Sequence, residues 1–369
     1  MLDTIIVGAG IAGLYYAHVN KTRENCIILE KSSRVGGRVG QVLFNGVKVV
    51  TGAGIGRYDK DRLLKGLLHE FNLKYVVNTS NINYILDNKI NILDTLEYLK
   101  SRYNQDIRSK LTFRDFLKNE IGEKYCDWVM SCGYTDYLEA DVFDTLYDYG
   151  FDDNVSGYRS MSIPWNELLE NISKDLKIIL NEEVKSIKRL KTGKFKVGKY
   201  TCDKVVLAVP TPQIYNLLKM KIYLQIPVQS FCRYYVKLYL SQSKEFIENV
   251  KGFTIVKPPL QKIIKFTDEV YMISYSDNKS ADYVSKLNEK EIEKLVEETT
   301  GFKIKIVDKL ILYFPVGTHY YRPLENRWRD RDEFIDFVQN PMEGVYVVGE
   351  SVSKNQGWVE GALESVLNI

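Results

Sequence analysis

The chain has 369 residues, 51 basic against 48 acidic side chains, and a formal net charge of +3. No basic block stands out, which argues against nucleic acid as a partner, and the length suits two domains with buried apolar cores. Five cysteines without CxxC spacing and three histidines suggest neither a disulfide frame nor a zinc site, and no apolar run is long enough to span a bilayer. The first apolar run starts at about residue 3, leaving no room for a signal peptide, so a reducing, cytoplasmic setting is expected.

Residues 3–13 read DTIIVGAGIAG. The apolar run breaks into Gly8-x-Gly10-x-x-Gly13, with Ala12 inside the pattern, which predicts a strand, a tight turn and a helix whose N-terminus meets a pyrophosphate. A second apolar run at 26–29 ends in Glu30, a carboxylate placed to accept from a ribose hydroxyl. Strand, turn, helix, strand and acid follow in order. Next comes Lys31, then Arg34-Val-Gly-Gly37-Arg38, where adjacent glycines permit another close backbone approach and two arginines offer planar cations to phosphate.

Leu63, Leu64, Leu67, Leu68 and Phe71 form one helical stripe over 59–71, and Thr112 to Asp115 reads as a helix cap. Pro164 opens another helix carrying Trp165, Leu168, Leu169, Ile172 and Leu176. Strands are expected at 183–187, 194–200 and 203–210, the last apolar on both faces and therefore central. Further strands are expected at 228–240, 253–256, 262–266, 269–275 and 303–314, with a charged helix over 285–300 ended by Gly301. A buried strand at 345–348 runs into Gly349-Glu350, and a helix follows over 357–367. Such a helix points unpaired N–H groups and a partial positive charge at whatever precedes it.

The string EKSSRVGGR at 30–38, the glycine turn before it and the late VGE…GWVEGALES at 348–365 resemble the flavin-containing amine oxidase family. That family includes monoamine, polyamine and L-amino-acid oxidases, with protoporphyrinogen oxidase and carotenoid desaturases as relatives. The resemblance implies an α/β fold: a Rossmann-type FAD-binding domain (1–77, 160–220 and 312–369) interleaved with a mixed-sheet α+β substrate domain (78–159 and 221–311). It also implies FAD, with Val184 offering backbone to adenine, Gly54 and Ile55 lining the flavin, and Gly349, Glu350 and Val359 near the ribitol and ring.

By the same resemblance Trp358 and Tyr320 form an aromatic substrate cage, and Lys237 holds a water against flavin N5. Arg57 forks onto a substrate carboxylate, as in L-amino-acid oxidases. The implied reaction is hydride transfer from a small amine or amino acid to the flavin, with molecular oxygen as acceptor, and activity rising toward alkaline pH because only an unprotonated amine has the required lone pair. The sequence departs from the amine-oxidase pattern at Pro315-x-Gly317-x-His319-Tyr320, which looks more like the protoporphyrinogen-oxidase and desaturase branch. No cysteine stands there, so non-covalent FAD is implied. Dehydrogenation of a carbon–carbon or ring substrate, or flavin binding without turnover, are the alternatives.

Overall fold

The computed structural model describes residues 2–86, 92–103, 111–124, 126, 139–148 and 156–369. The strand Leu2–Val7 lies in the middle of a seven-stranded sheet, parallel to Cys26–Leu29 on one side and to Tyr200–Leu207 on the other. Ile5 and Ile6 are both fully buried, because each face of this sheet is covered. On one face pack the helices Ile11–Asn20, Trp165–Ser173 and Val359–Leu367. On the other pack Thr211–Leu218 and Arg331–Gln339. The parallel strand Val345–Val347, from the far end of the chain, joins beside Tyr200–Leu207. A continuous apolar run is what a strand covered on both faces requires.

A second, six-stranded sheet is mixed. Val228–Leu238 runs antiparallel between Ile306–His319 and Val270–Asp277, followed outward by Lys262–Lys265, Phe253–Val256 and Ile82–Ile85. Its apolar face packs against the helices Asn278–Val284 and Glu289–Thr300. The α/β class with a Rossmann-like sheet and further mixed sheets is therefore as expected.

Several boundaries differ. The strand expected over 183–187 starts only at Ile187 and runs on to Arg189. The 194–200 strand ends at Val197, because Gly198 turns the chain with φ +57° into the next strand. The single helix expected over 285–300 starts instead at Glu289, where Asn288 accepts from the Lys290 and Glu291 N–H groups and Glu291 returns a bond to the Asn288 N–H. That capping box overrides the apolar periodicity upstream of it. The cap at Thr112 forms as expected, Thr112 Oγ1 accepting from Asp115 N at 3.2 Å. Cys26, Cys202 and Cys232 are free thiols, and Cys132 lies outside the described residues.

Candidate active site

The two glycine segments near the N-terminus lie on each other. Gly10 bridges Gly36, and Gly36 N donates to Ala9 O at 2.8 Å. The individual glycines serve different ends. A Cβ on Gly13 would lie 2.2 Å from Gly8 O, and one on Gly8, at φ +104°, would lie 2.5 Å from Ala208 O. Those two permit tight packing of turn, helix and strand. A Cβ on Gly10 would meet nothing within 4 Å. It would project into open space, so the missing side chain leaves a cradle free.

That space is one cavity of about 900 Å³. Gly8, Gly10, Ala12, Glu30, Lys31, Arg34, Gly37, Arg38, Gly54, Ile55, Val184, Gly349, Glu350, Trp358 and Val359 all line it, and so does Arg57. Gly13 does not, because its role is the packing contact just described. Glu30 is held by the Ala9 and Ser32 N–H groups, both at 2.8 Å. Arg34 turns back onto its own loop, donating to Gly37 O at 2.7 Å and Val35 O at 3.1 Å.

Glu350 ties the ends of the chain together. It accepts from Arg38 at 2.6 Å, His319 Nδ1 at 2.5 Å and Gly357 N at 2.9 Å. Burial opposes its charge, but His319, Arg38 and the Gly357 N–H outweigh burial and hold the carboxyl well below the usual carboxylate range. The Thr211 N–H lies 3.3 Å from His319 Nε2. Both ring nitrogens are committed. The helix Val359–Leu367 begins beside this hub, and its N-cap residue, Trp358, makes no side-chain cap. Unpaired N–H groups at that terminus therefore face the cavity where Trp358 and Val359 line it.

Trp358 stands in a small buried cluster. Its Nε1–H donates to both Asp61 oxygens, at 3.0 and 2.9 Å, and the Arg57 guanidinium lies over its ring, 5.4 Å from the centroid. The indole is thus fixed at the cavity wall from behind.

Two of the expected residues are elsewhere. Lys237 does not line the cavity; its Nζ is 3.4 Å from Glu269 at the distal end of the central strand. The cavity meets that strand at Gln229, Phe231 and Arg233, and four residues further along put Lys237 roughly 13 Å away. A lysine two strands away in the same sheet, Lys262, lines the cavity instead, 5.0 Å from the Tyr275 ring centroid. Tyr320 is buried against Ala140 rather than at the cavity. It follows His319, the last residue of the strand Ile306–His319, whose residues 314–319 line the cavity while Tyr320 lies just past them.

Residues that sequence reading missed complete the wall: Arg233, Lys262, Tyr275, Asp277 and Phe314. One available signal was the charged Arg233 inside the otherwise apolar and aromatic run Phe231–Val236 of the central strand. Among the described residues, buried polar atoms in the cavity wall without a hydrogen-bond partner include Gln213 Oε1, Gln229 Oε1, Arg233 Nε and Thr318 Oγ1. Orphaned groups of this kind call for a ligand or solvent partner. Together with the open cradle at Gly10 and the acid at Glu30, they fit an extended dinucleotide.

Residues 6–71 match the family model described as an NAD(P)-binding Rossmann-like domain. No curated protein sequence matches the chain. Among solved structures, a putrescine oxidase variant superposes with a TM-score of 0.76 at 14% identity, and the wild-type putrescine oxidase bound to putrescine with 0.76 at 13%. A candidate protoporphyrinogen oxidase from Exiguobacterium sp. 255-15 gives 0.73 at 14%. Each alignment covers 99% of this chain and 97% of the other. The chain has the fold of these oxidases. Likeness at this identity extends to the architecture, and the chemistry has to be argued from the cavity.

Proposed function

We propose that the protein is an FAD-dependent oxidoreductase that oxidises a small amine or amino acid, with molecular oxygen as electron acceptor. The observation that carries this reading is the continuity of the cavity. It runs from Glu30 through the Gly10 and Gly37 cradle and past the Arg38–Glu350 pair to Trp358, then opens onto the aromatic face of the second sheet. A nicotinamide unit needs only the first part. In this reading residues 1–77, 160–220 and 312–369 form the cofactor domain, and 78–159 and 221–311 the substrate domain.

FAD, when bound, supplies a two-electron acceptor. The chain's own residues do the rest. Glu30 would take the adenosine ribose hydroxyls and Val184 would lie beside adenine. The uncapped N-terminus at Val359 favours negative charge developing next to it. Trp358, Tyr275 and Phe314 offer apolar walls that exclude water from a neutral amine. With both nitrogens of His319 engaged and no described cysteine among the lining residues, the cofactor would be held non-covalently.

One observation favours a second reading, dehydrogenation of a carbon–carbon or ring substrate: the lysine expected for oxygen chemistry, Lys237, is paired with Glu269 away from the cavity. Lys262 inherits that role in the amine reading. The test is anaerobic mixing of the yellow purified protein with pools of amines and amino acids. Bleaching is expected, faster at pH 9 than at pH 7, and the bleached protein should regain colour in air at least tenfold more slowly in Lys262→Met, with Lys237→Met unchanged. If no amine or amino acid bleaches the protein, amine oxidation is refuted.

A further inference from the structure

We propose that the end of the cavity formed by the second sheet is an anion subsite built on Arg233, and that the substrate carries a carboxylate there. This deepens the reading above and rests on it for the reaction, though not for the binding.

Arg233 is on the central strand, 3% exposed, directly opposite Tyr275 in the neighbouring strand. Its guanidinium carbon lies 3.3 Å from the Tyr275 ring centroid and 4.4 Å from that of Phe231. Aromatic rings engage the faces of a guanidinium, whereas its N–H donors lie in the plane, so such stacking leaves the donors for something else. One nitrogen of the NH1 position is spent on the Cys232 and Ser276 carbonyls, at 3.2 and 3.3 Å. Nε has no partner. The Nε side is an edge from which arginine can grip a carboxylate through two parallel N–H bonds.

The charge is also under-compensated. Among the described residues, the carboxylate paired with Arg233, that of Asp277, is 3.4 Å away, well beyond the roughly 2.8 Å of a good charge-assisted bond. The charged lining residues drawn from the second sheet are Arg233 and Lys262 on the cationic side and Asp277 on the other, among the described residues. Burying a guanidinium with so little return is costly unless a further anion completes the site. A cationic diamine would meet the wrong sign of charge here. An amine that also carries a carboxylate would not.

Calorimetric titration of the purified protein with benzoate, benzamide and benzylamine tests this, since the three ring-matched probes are anionic, neutral and cationic. Benzoate should bind at least tenfold more tightly than the other two, and Arg233→Met should weaken benzoate at least tenfold while leaving the flavin spectrum unchanged. Equal binding of the three probes, or an Arg233→Met protein that keeps its benzoate affinity, overturns the proposal. Should Arg233→Met fail to fold, Asp277→Asn removes the competing carboxylate and should tighten benzoate severalfold; no change or weakening has the same overturning force. Benzoate binding that depends on Arg233, in a protein no amine or amino acid bleaches, would keep the subsite and refute the oxidation. Bleaching without any preference for benzoate would do the reverse.

Discussion

Asp61 is 1% exposed, yet its carboxyl accepts from two donors: the single Trp358 indole N–H, shared between both oxygens, and Arg57 N at 2.6 Å. Burial dominates, and pushes its carboxyl from 3.8 up to about 6 against the Arg57 and Trp358 bonds. An acid with a raised folded pKa binds its proton more tightly in the native state. Its contribution to stability is therefore full below pH 3.8 and is lost as pH rises through about 6. Glu350 has the opposite sign: its lowered pKa adds stability above the ordinary 4.5 that is lost as pH falls. Because the Asp61 carboxylate touches the Trp358 indole, tryptophan emission should titrate with a midpoint of about 6, and Asp61→Asn should abolish that step. A wild-type emission curve flat between pH 5 and 7 would contradict this. None of this was visible in the sequence, where Asp61 and Trp358 stand at opposite ends of the chain. Glu360 is similar: it accepts from Leu63 and Leu64 N–H at 2.7 and 3.0 Å, capping the helix Arg62–Glu70, with a partner that only folding brings near.

The strand–turn–helix unit at the N-terminus was the most legible element. Its chemistry is local: an apolar run, glycines where backbone crowds backbone, and an acid at the end of the next strand. The glycines separate fold from ligand experimentally. Gly13→Ala would drive a methyl to 2.2 Å from Gly8 O, so the helix has to shift, and a large loss of stability is expected in urea unfolding. Gly10→Ala meets no protein atom within 4 Å and should fold with wild-type stability, while FAD affinity falls tenfold or more because the methyl occupies the cradle. An unchanged FAD affinity in Gly10→Ala would show that the cofactor does not sit there. The central strand was less legible. Which end of the strand meets the cavity depends on its pairing, including a register shift between Tyr234 and Tyr235. Lys237 and Arg233 share one strand and differ in fate for that reason.

At the scale of the molecule, the cavity lies between two sheets drawn from separated parts of the chain, and Arg38 bridges them by bonding both Glu350 and Gly317 O. A ligand that spans the cavity should tie the parts together and stabilise the whole by mass action, by about 4 kcal/mol at a thousandfold excess over its Kd. FAD is therefore expected to raise the unfolding temperature clearly, and NAD much less, because NAD has no isoalloxazine ring to reach Trp358. An equal shift with both, or none with FAD, would remove the flavin assignment. No helix among the described residues is long and apolar enough to cross a membrane.

The glycine fingerprint, Glu30, the RVGGR segment and the GWVEGA segment were readable as a nucleotide clamp from the string alone, because backbone crowding and acid-to-ribose contacts need fixed residue types at short fixed spacings. Side chains at the substrate end obey no such spacing. Whether Lys237 or Lys262, Tyr320 or Tyr275, and Arg57 alone or Arg57 with Arg233 face the cavity was decided by strand register and by which side of the sheet the helices cover. Those are long-range pairings between segments tens to hundreds of residues apart, and no local pattern encodes them.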